Sequence, residues 1–81
     1  MLQKYKCPCC GFFTLDDAPG NFDICPVCVW EDDNVQRDLP DFRGGANVVS
    51  LNEARRNYLD FGCSDRNHLA MARPPGDEEK K

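Results

Sequence analysis

Cys7-Pro8-Cys9-Cys10-Gly11 and, further on, Cys25-Pro26-Val27-Cys28 decide how this chain is read. Each stretch contains a Cys-Pro-x-Cys hook, and residues 11–24 separate the two hooks. Two matched pairs of thiols across a short spacer are the pattern of a tetrahedral metal site. In such a hook the chain turns so that backbone N–H groups point at the sulfurs. Pro8 presets φ for the first turn and Gly11 tolerates the positive φ that follows the second ligand. The ligand set read from this pattern is Cys7, Cys10, Cys25 and Cys28. A competing set substitutes Cys9 for Cys7 or Cys10, but a C-x-C or C-C pair lacks the intervening turn.

Size supports the same reading. At 81 residues, 30% of them charged, the chain is close to the limit at which a hydrophobic core alone suffices. A structural zinc contributes about 10–16 kcal/mol in small sites that fold around it. Three disulfides are the other use of six cysteines. Against them, residues 1–6 carry no apolar leader, and adjacent Cys9 and Cys10 suit a disulfide ladder poorly. A reducing, cytoplasmic setting is expected. No apolar run approaches a membrane span. The net charge of −4 and the scatter of Lys and Arg oppose a nucleic-acid surface, which needs a basic face.

Outward from the hooks, Lys4-Tyr5-Lys6 reads as a short strand leading into the first. Phe12-Phe13-Thr14-Leu15 reads as a strand, residues 16–21 as a reversing turn, and Phe22-Asp23-Ile24 as the returning strand. Hook, hairpin, hook is the layout of a zinc ribbon or rubredoxin-like knuckle. Val29 stands where Gly11 stood, and positive φ is costly for a β-branched residue, so the second hook is expected to turn differently. Trp30 is expected in the core with Phe12, Phe13 or Phe22. Residues 37–46 read as a loop, with Phe42 as its anchor.

One helix is well marked, over residues 51–61. Ser50-Leu51-Asn52-Glu53 forms a capping box and Gly62 sits at the left-handed terminator position. Leu51, Ala54, Tyr58, Leu59 and Phe61 are read as its apolar face. Arg55 falls inside that arc, either covering the core edge or pairing with Asp32 or Asp33. Residues 1–73 are read as a single zinc-stabilised domain and residues 74–81 as a disordered tail.

Other groups were weighed as chemistry. Cys9 is either an exposed, variable position or a redox-poised thiol, the first being favoured. Cys63 and His68 supply two ligands, too few for a closed site, and no group orients them for catalysis. Glu31-Asp32-Asp33 reads as a solvated face, with an ion pair to Arg43 or Arg55 as the sharper option. Arg43-Gly44-Gly45-Ala46-Asn47 lacks the strand, helix and lysine of a phosphate loop and reads as a turn fixing the helix entry.

Taken in order, these motifs resemble the bacterial cysteine-rich CPCC family of small proteins. The resemblance rests on both hooks, Trp30-Glu31-Asp32-Asp33, residues 43–47, Ser50–Arg55 with Tyr58, Phe61 and Gly62, and Arg73-Pro74-Pro75. It implies zinc binding and names no activity. The expected fold is a small α+β zinc ribbon or rubredoxin-like four-cysteine hairpin, with one C-terminal helix packed on it. The expected function is non-enzymatic: a Zn2+-binding module that meets a protein partner. The alternatives are redox or electron transfer, through iron in the four-cysteine site or thiol chemistry at Cys9, and a nucleic-acid-binding ribbon.

Overall fold

The computed structural model describes residues 4–81. Residues 1–3, part of the leader and domain readings, lie outside the described residues. The order of elements is β1 (Tyr5–Lys6), β2 (Phe13–Leu15), β3 (Asn21–Ile24), β4 (Glu31–Asp33), α1 (Asn34–Asp38) and α2 (Leu51–Phe61). Two short 3-10 helices follow, at Arg66–Met71 and Asp77–Lys80. The result is a small α+β fold built on two antiparallel hairpins, and it brings four cysteines together.

Strand pairing differs from the sequence expectation in one respect. β1 pairs with β2 and β3 with β4, so neither hook joins a β2–β3 hairpin. Each hook reverses the chain by itself, and the strands entering and leaving it are therefore the ones that meet. Residues 16–20 connect one hairpin to the next. There, Asp23 accepts the Asp16 amide at 2.6 Å, and the Gly20 amide donates to Asp32 at 2.9 Å.

Trp30, Leu15, Val27, Leu51 and Ala54 form the buried core together with the cysteines. Phe12 and Tyr58 close one side of it in an edge-on contact, with ring centroids 6.3 Å apart. Phe22 and Phe42 are exposed and anchor nothing. The Phe42 contribution is its backbone carbonyl, which accepts from Gln36.

α2 has the bounds, capping box and left-handed Gly62 terminator that the sequence predicts. Leu51 and Ala54 are buried, whereas Leu59 is 84% exposed. Leu59 follows Tyr58 by one residue and so lies about 100° further round the helix, beyond the packed face. Neither reading of Arg55 matches its contact. It is exposed, and its Nε donates to the Pro8 carbonyl at 2.9 Å, tying α2 to the first hook.

The acidic run is not a solvated face. Asp32 and Asp33 are buried in β4, and each satisfies specific donors. Asp32 pairs with Arg37 at 3.1 Å. Asp33 caps α1, accepting from the Val35 and Gln36 amides, and also accepts the Ala46 amide at 2.9 Å. α1 itself replaces the first part of the expected loop, and Asp33 was its sequence signal. Arg43 pairs instead with Glu53, at 2.7 Å.

Behind α1, the fully buried Gln36 organises the loop that follows. Its Nε2 lies within 3.1 Å of the Phe42, Asn47 and Val49 carbonyls, and its Oε1 accepts from the Asn47 backbone and side chain. Gly45 passes so close that a Cβ there would sit 2.6 Å from Asp33 Oδ2 and 2.8 Å from Gln36 Cδ. Residues 43–47 thus fix the entry to α2 by packing on a buried amide. At the C-terminus, residues 74–81, expected as a disordered tail, include the Asp77–Lys80 turn. Arg73 and Glu79 hold that turn through two 2.8 Å bonds. Among the described residues, no helix is long and apolar enough to cross a membrane.

Candidate metal centre

The two hooks share one hydrogen-bonding plan. In the first, the Cys7 amide donates to the Phe12 carbonyl at 2.8 Å and the Gly11 amide to the Cys7 carbonyl at 2.9 Å. In the second, the Cys25 amide donates to Trp30 and the Val29 amide to Cys25, both at 2.9 Å. Gly11 and Val29 occupy equivalent positions, with φ of 81° and 67°. The expectation that Val29 would force a different turn is therefore overturned. The hook's backbone bonds outweigh a left-handed penalty of about 1–2 kcal/mol.

These matched turns place the Cys7, Cys10, Cys25 and Cys28 sulfurs within 4.8 Å of one another. Cys7 Sγ and Cys28 Sγ are 3.6 Å apart, and Cys10 Sγ and Cys25 Sγ 3.8 Å. A disulfide requires about 2.05 Å, so these are four separate thiols. Zinc–sulfur bonds of about 2.3 Å in tetrahedral array imply sulfurs about 3.8 Å apart. The donor set and its spacing therefore suit a thiophilic metal ion, which this cluster can hold.

Electrostatics point the same way. Donation from Cys10, Cys28 and Cys7 drives the Cys25 thiol far below its ordinary value. The Cys7 thiol is pushed up, chiefly by Cys10 and Cys25, and the Cys10 thiol by Cys25 and Cys28. Four sulfurs this close cannot all ionise unless a cation shares the site. Further donors reach Cys25 Sγ: the Thr14 hydroxyl lies 2.9 Å away and the Cys28 amide 3.5 Å. Thr14 was not singled out in the sequence, and its separation from Cys25 offers no local signal.

The remaining thiols stand outside this group. Cys9 is 9% exposed, so the expectation of an exposed position does not hold. Cys63 is buried and its Sγ donates to the Cys28 carbonyl at 3.4 Å. The Ser64 amide donates to that same carbonyl at 2.8 Å, and the Arg73 amide to the Val27 carbonyl at 3.2 Å. The segment after α2 therefore clasps the second hook. His68 lies in the 3-10 turn and does not join the four-sulfur cluster.

Residues 5–79 match the family described as Cysteine-rich CPCC. Among curated proteins, none matches the chain.

Proposed function

The chain belongs to the cysteine-rich CPCC family, and from that premise we propose that it is a non-enzymatic, zinc-stabilised domain spanning residues 1–73. Cys7, Cys10, Cys25 and Cys28 are its ligands. The observation that carries this reading is the convergence of four sulfurs from two equivalent hooks at tetrahedral spacing. Zinc suits an all-thiolate site with no redox task. Bound there, it supplies cross-linking and charge compensation, and the chain's own N–H and hydroxyl groups orient the sulfurs. Free thiols in such number fit a cytoplasmic setting.

Elemental analysis of the purified full chain tests the assignment, with one zinc per chain expected. Folded protein without metal would overturn it. Iron is the second reading, and the left-handed Val29 removes one objection to it, because both hooks make the same knuckle. A red protein with visible absorption would establish iron in place of zinc, and reversible one-electron reduction would then be the test of electron transfer.

The domain also presents a surface to a protein partner in this reading. Leu59, Leu69 and Met71 are exposed, at 84%, 45% and 62%. A metal-loaded bait should retain a partner that Leu59→Glu and Met71→Glu baits lose. Equal capture by all three baits, or capture by none, would remove this part of the reading. Nucleic acid is a poorer partner for a chain of net charge −4, whose Arg37, Arg43 and Arg73 are already paired with carboxylates.

A further inference from the structure

The four sulfurs are not equally protected. Cys7, Cys25 and Cys28 have no exposure, whereas Cys10 is only partly buried. Cys10 lines an open cleft of about 580 Å³ over the first hook, beside Pro8 and the non-ligand Cys9. Among the described residues, the charged ones lining that cleft are Lys6, Arg37 and Arg55, and none is a carboxylate. Arg37 is paired with Asp32. Among the described residues, Arg55 bonds to neutral oxygens, the Pro8 carbonyl and Asn52 Oδ1. Lys6 has no carboxylate within ion-pair distance among the described residues.

Lys6 and Arg55 gather over the first hook on a chain that is acidic overall. Four thiolates around a dication carry two excess negative charges, and the chain carries −4 overall. Over the first hook an approaching anion meets Lys6 and Arg55 beside the partly exposed Cys10. We propose that this cleft binds small anionic thiols, such as carboxylate-bearing thiol chelators, and that Cys10 is the ligand they displace. The inference rests on the metal-binding reading above. In the exchange, the acceptor's sulfur forms its bond to the metal as the bond to Cys10 breaks. The proton given up by the acceptor thiol ends on Cys10, and no electron changes hands. The cleft is thus the route by which metal enters and leaves, while the second hook stays closed.

The test uses the metal-loaded full chain and two dithiols: meso-2,3-dimercaptosuccinate, which is anionic, and 2,3-dimercaptopropanol, which is neutral. Metal retained on the chain is counted after timed removal of the thiol. Raising salt to about 0.5 M screens the cleft, and loss to dimercaptosuccinate should slow by on the order of tenfold. Loss to dimercaptopropanol should hardly change. The sign is decisive, because repulsion by the overall negative charge would make added salt speed the anionic thiol instead. Lys6→Gln and Arg55→Gln should each slow dimercaptosuccinate alone, and Lys6→Gln leaves every hydrogen bond described for the hook in place. Equal slowing of both thiols, no slowing, or acceleration by salt would overturn the inference while leaving metal binding intact. A chain that never loads metal would overturn the metal-binding reading itself.

Discussion

The first and second hooks share a backbone and differ in nearly everything around it. Cys25 and Cys28 are fully enclosed, with Thr14 at one sulfur and the segment around Cys63 and Ser64 on the adjoining carbonyl. Around the first hook, Cys7 is equally enclosed but Cys10 remains partly exposed, and Arg55 Nε holds the Pro8 carbonyl to α2. The same turn therefore encloses both of its paired sulfurs in one place and leaves one partly exposed in the other. Burial of a sulfur depends on the chain that returns to cover it, and of the four only Cys10 is left partly uncovered.

The largest effect expected from breaking this contrast is at Cys25. Cys25→Ser removes a fully buried member of the four-sulfur cluster, a proposed ligand, together with the partner of Thr14 and the Cys28 amide. A site worth about 10 kcal/mol or more would be lost, exceeding the stability of a domain this size. Metal content and far-ultraviolet circular dichroism should show an unfolded, metal-free chain. Cys9→Ser, in the open hook, should keep both fold and metal. Unfolding of Cys9→Ser would show that the ligand set is wrong.

Next comes the support behind the second hook. Gln36→Leu would strip partners from three loop carbonyls and from both Asn47 donors, all gathered around one buried amide. Unsatisfied buried groups cost about 1–3 kcal/mol each, and partial access to water limits the sum. A loss of about 3 kcal/mol in chemical denaturation is expected, with metal stoichiometry unchanged.

A smaller pair of changes compares the hooks directly. Gly11→Val puts a β-branched residue at φ 81° in a hook with little covering it, and should cost about 1–2 kcal/mol. Val29→Gly relieves the corresponding strain at φ 67° but gives up a half-buried side chain and adds chain entropy. Its net effect should stay within about 1 kcal/mol of zero. Equal losses in both variants, read from denaturation midpoints, would show that the hooks are energetically alike.

The parts of this molecule that sequence made legible are those governed by local rules. The Cys-Pro-x-Cys spacing locates both turns, and Ser50, Glu53 and Gly62 mark both ends of α2. Strand pairing was misread because β2 and β3 are joined by strong turn residues, while a hook's ability to pair its own flanks leaves no compositional trace. Val29 was misjudged because an intrinsic φ preference was set against tertiary hydrogen bonds that the sequence does not display. Asp32 and Asp33 looked solvent-facing for a similar reason, since their partners at Gly20, Arg37 and Ala46 are brought in by the fold.

Asp33 gives the smallest expected effect, and one whose sign can be worked out. Burial pushes its carboxyl up, but donation from the Ala46, Gln36 and Val35 amides outweighs burial and holds it below the ordinary carboxylate value. A group depressed in the folded state binds its proton more readily in the unfolded chain. Its stabilising contribution is therefore complete above about pH 3.9, the unfolded value for aspartate, and disappears as pH falls through the lower folded value. Asp33→Asn can still cap α1 through its amide oxygen, since asparagine is a good N-cap, but it has no charge to titrate. Stability measured in denaturant from pH 7 downward should fall more steeply below pH 4 for the wild type than for Asp33→Asn. Parallel acid limbs would mean that the Asp33 charge contributes nothing beyond the hydrogen bonds that its uncharged form keeps.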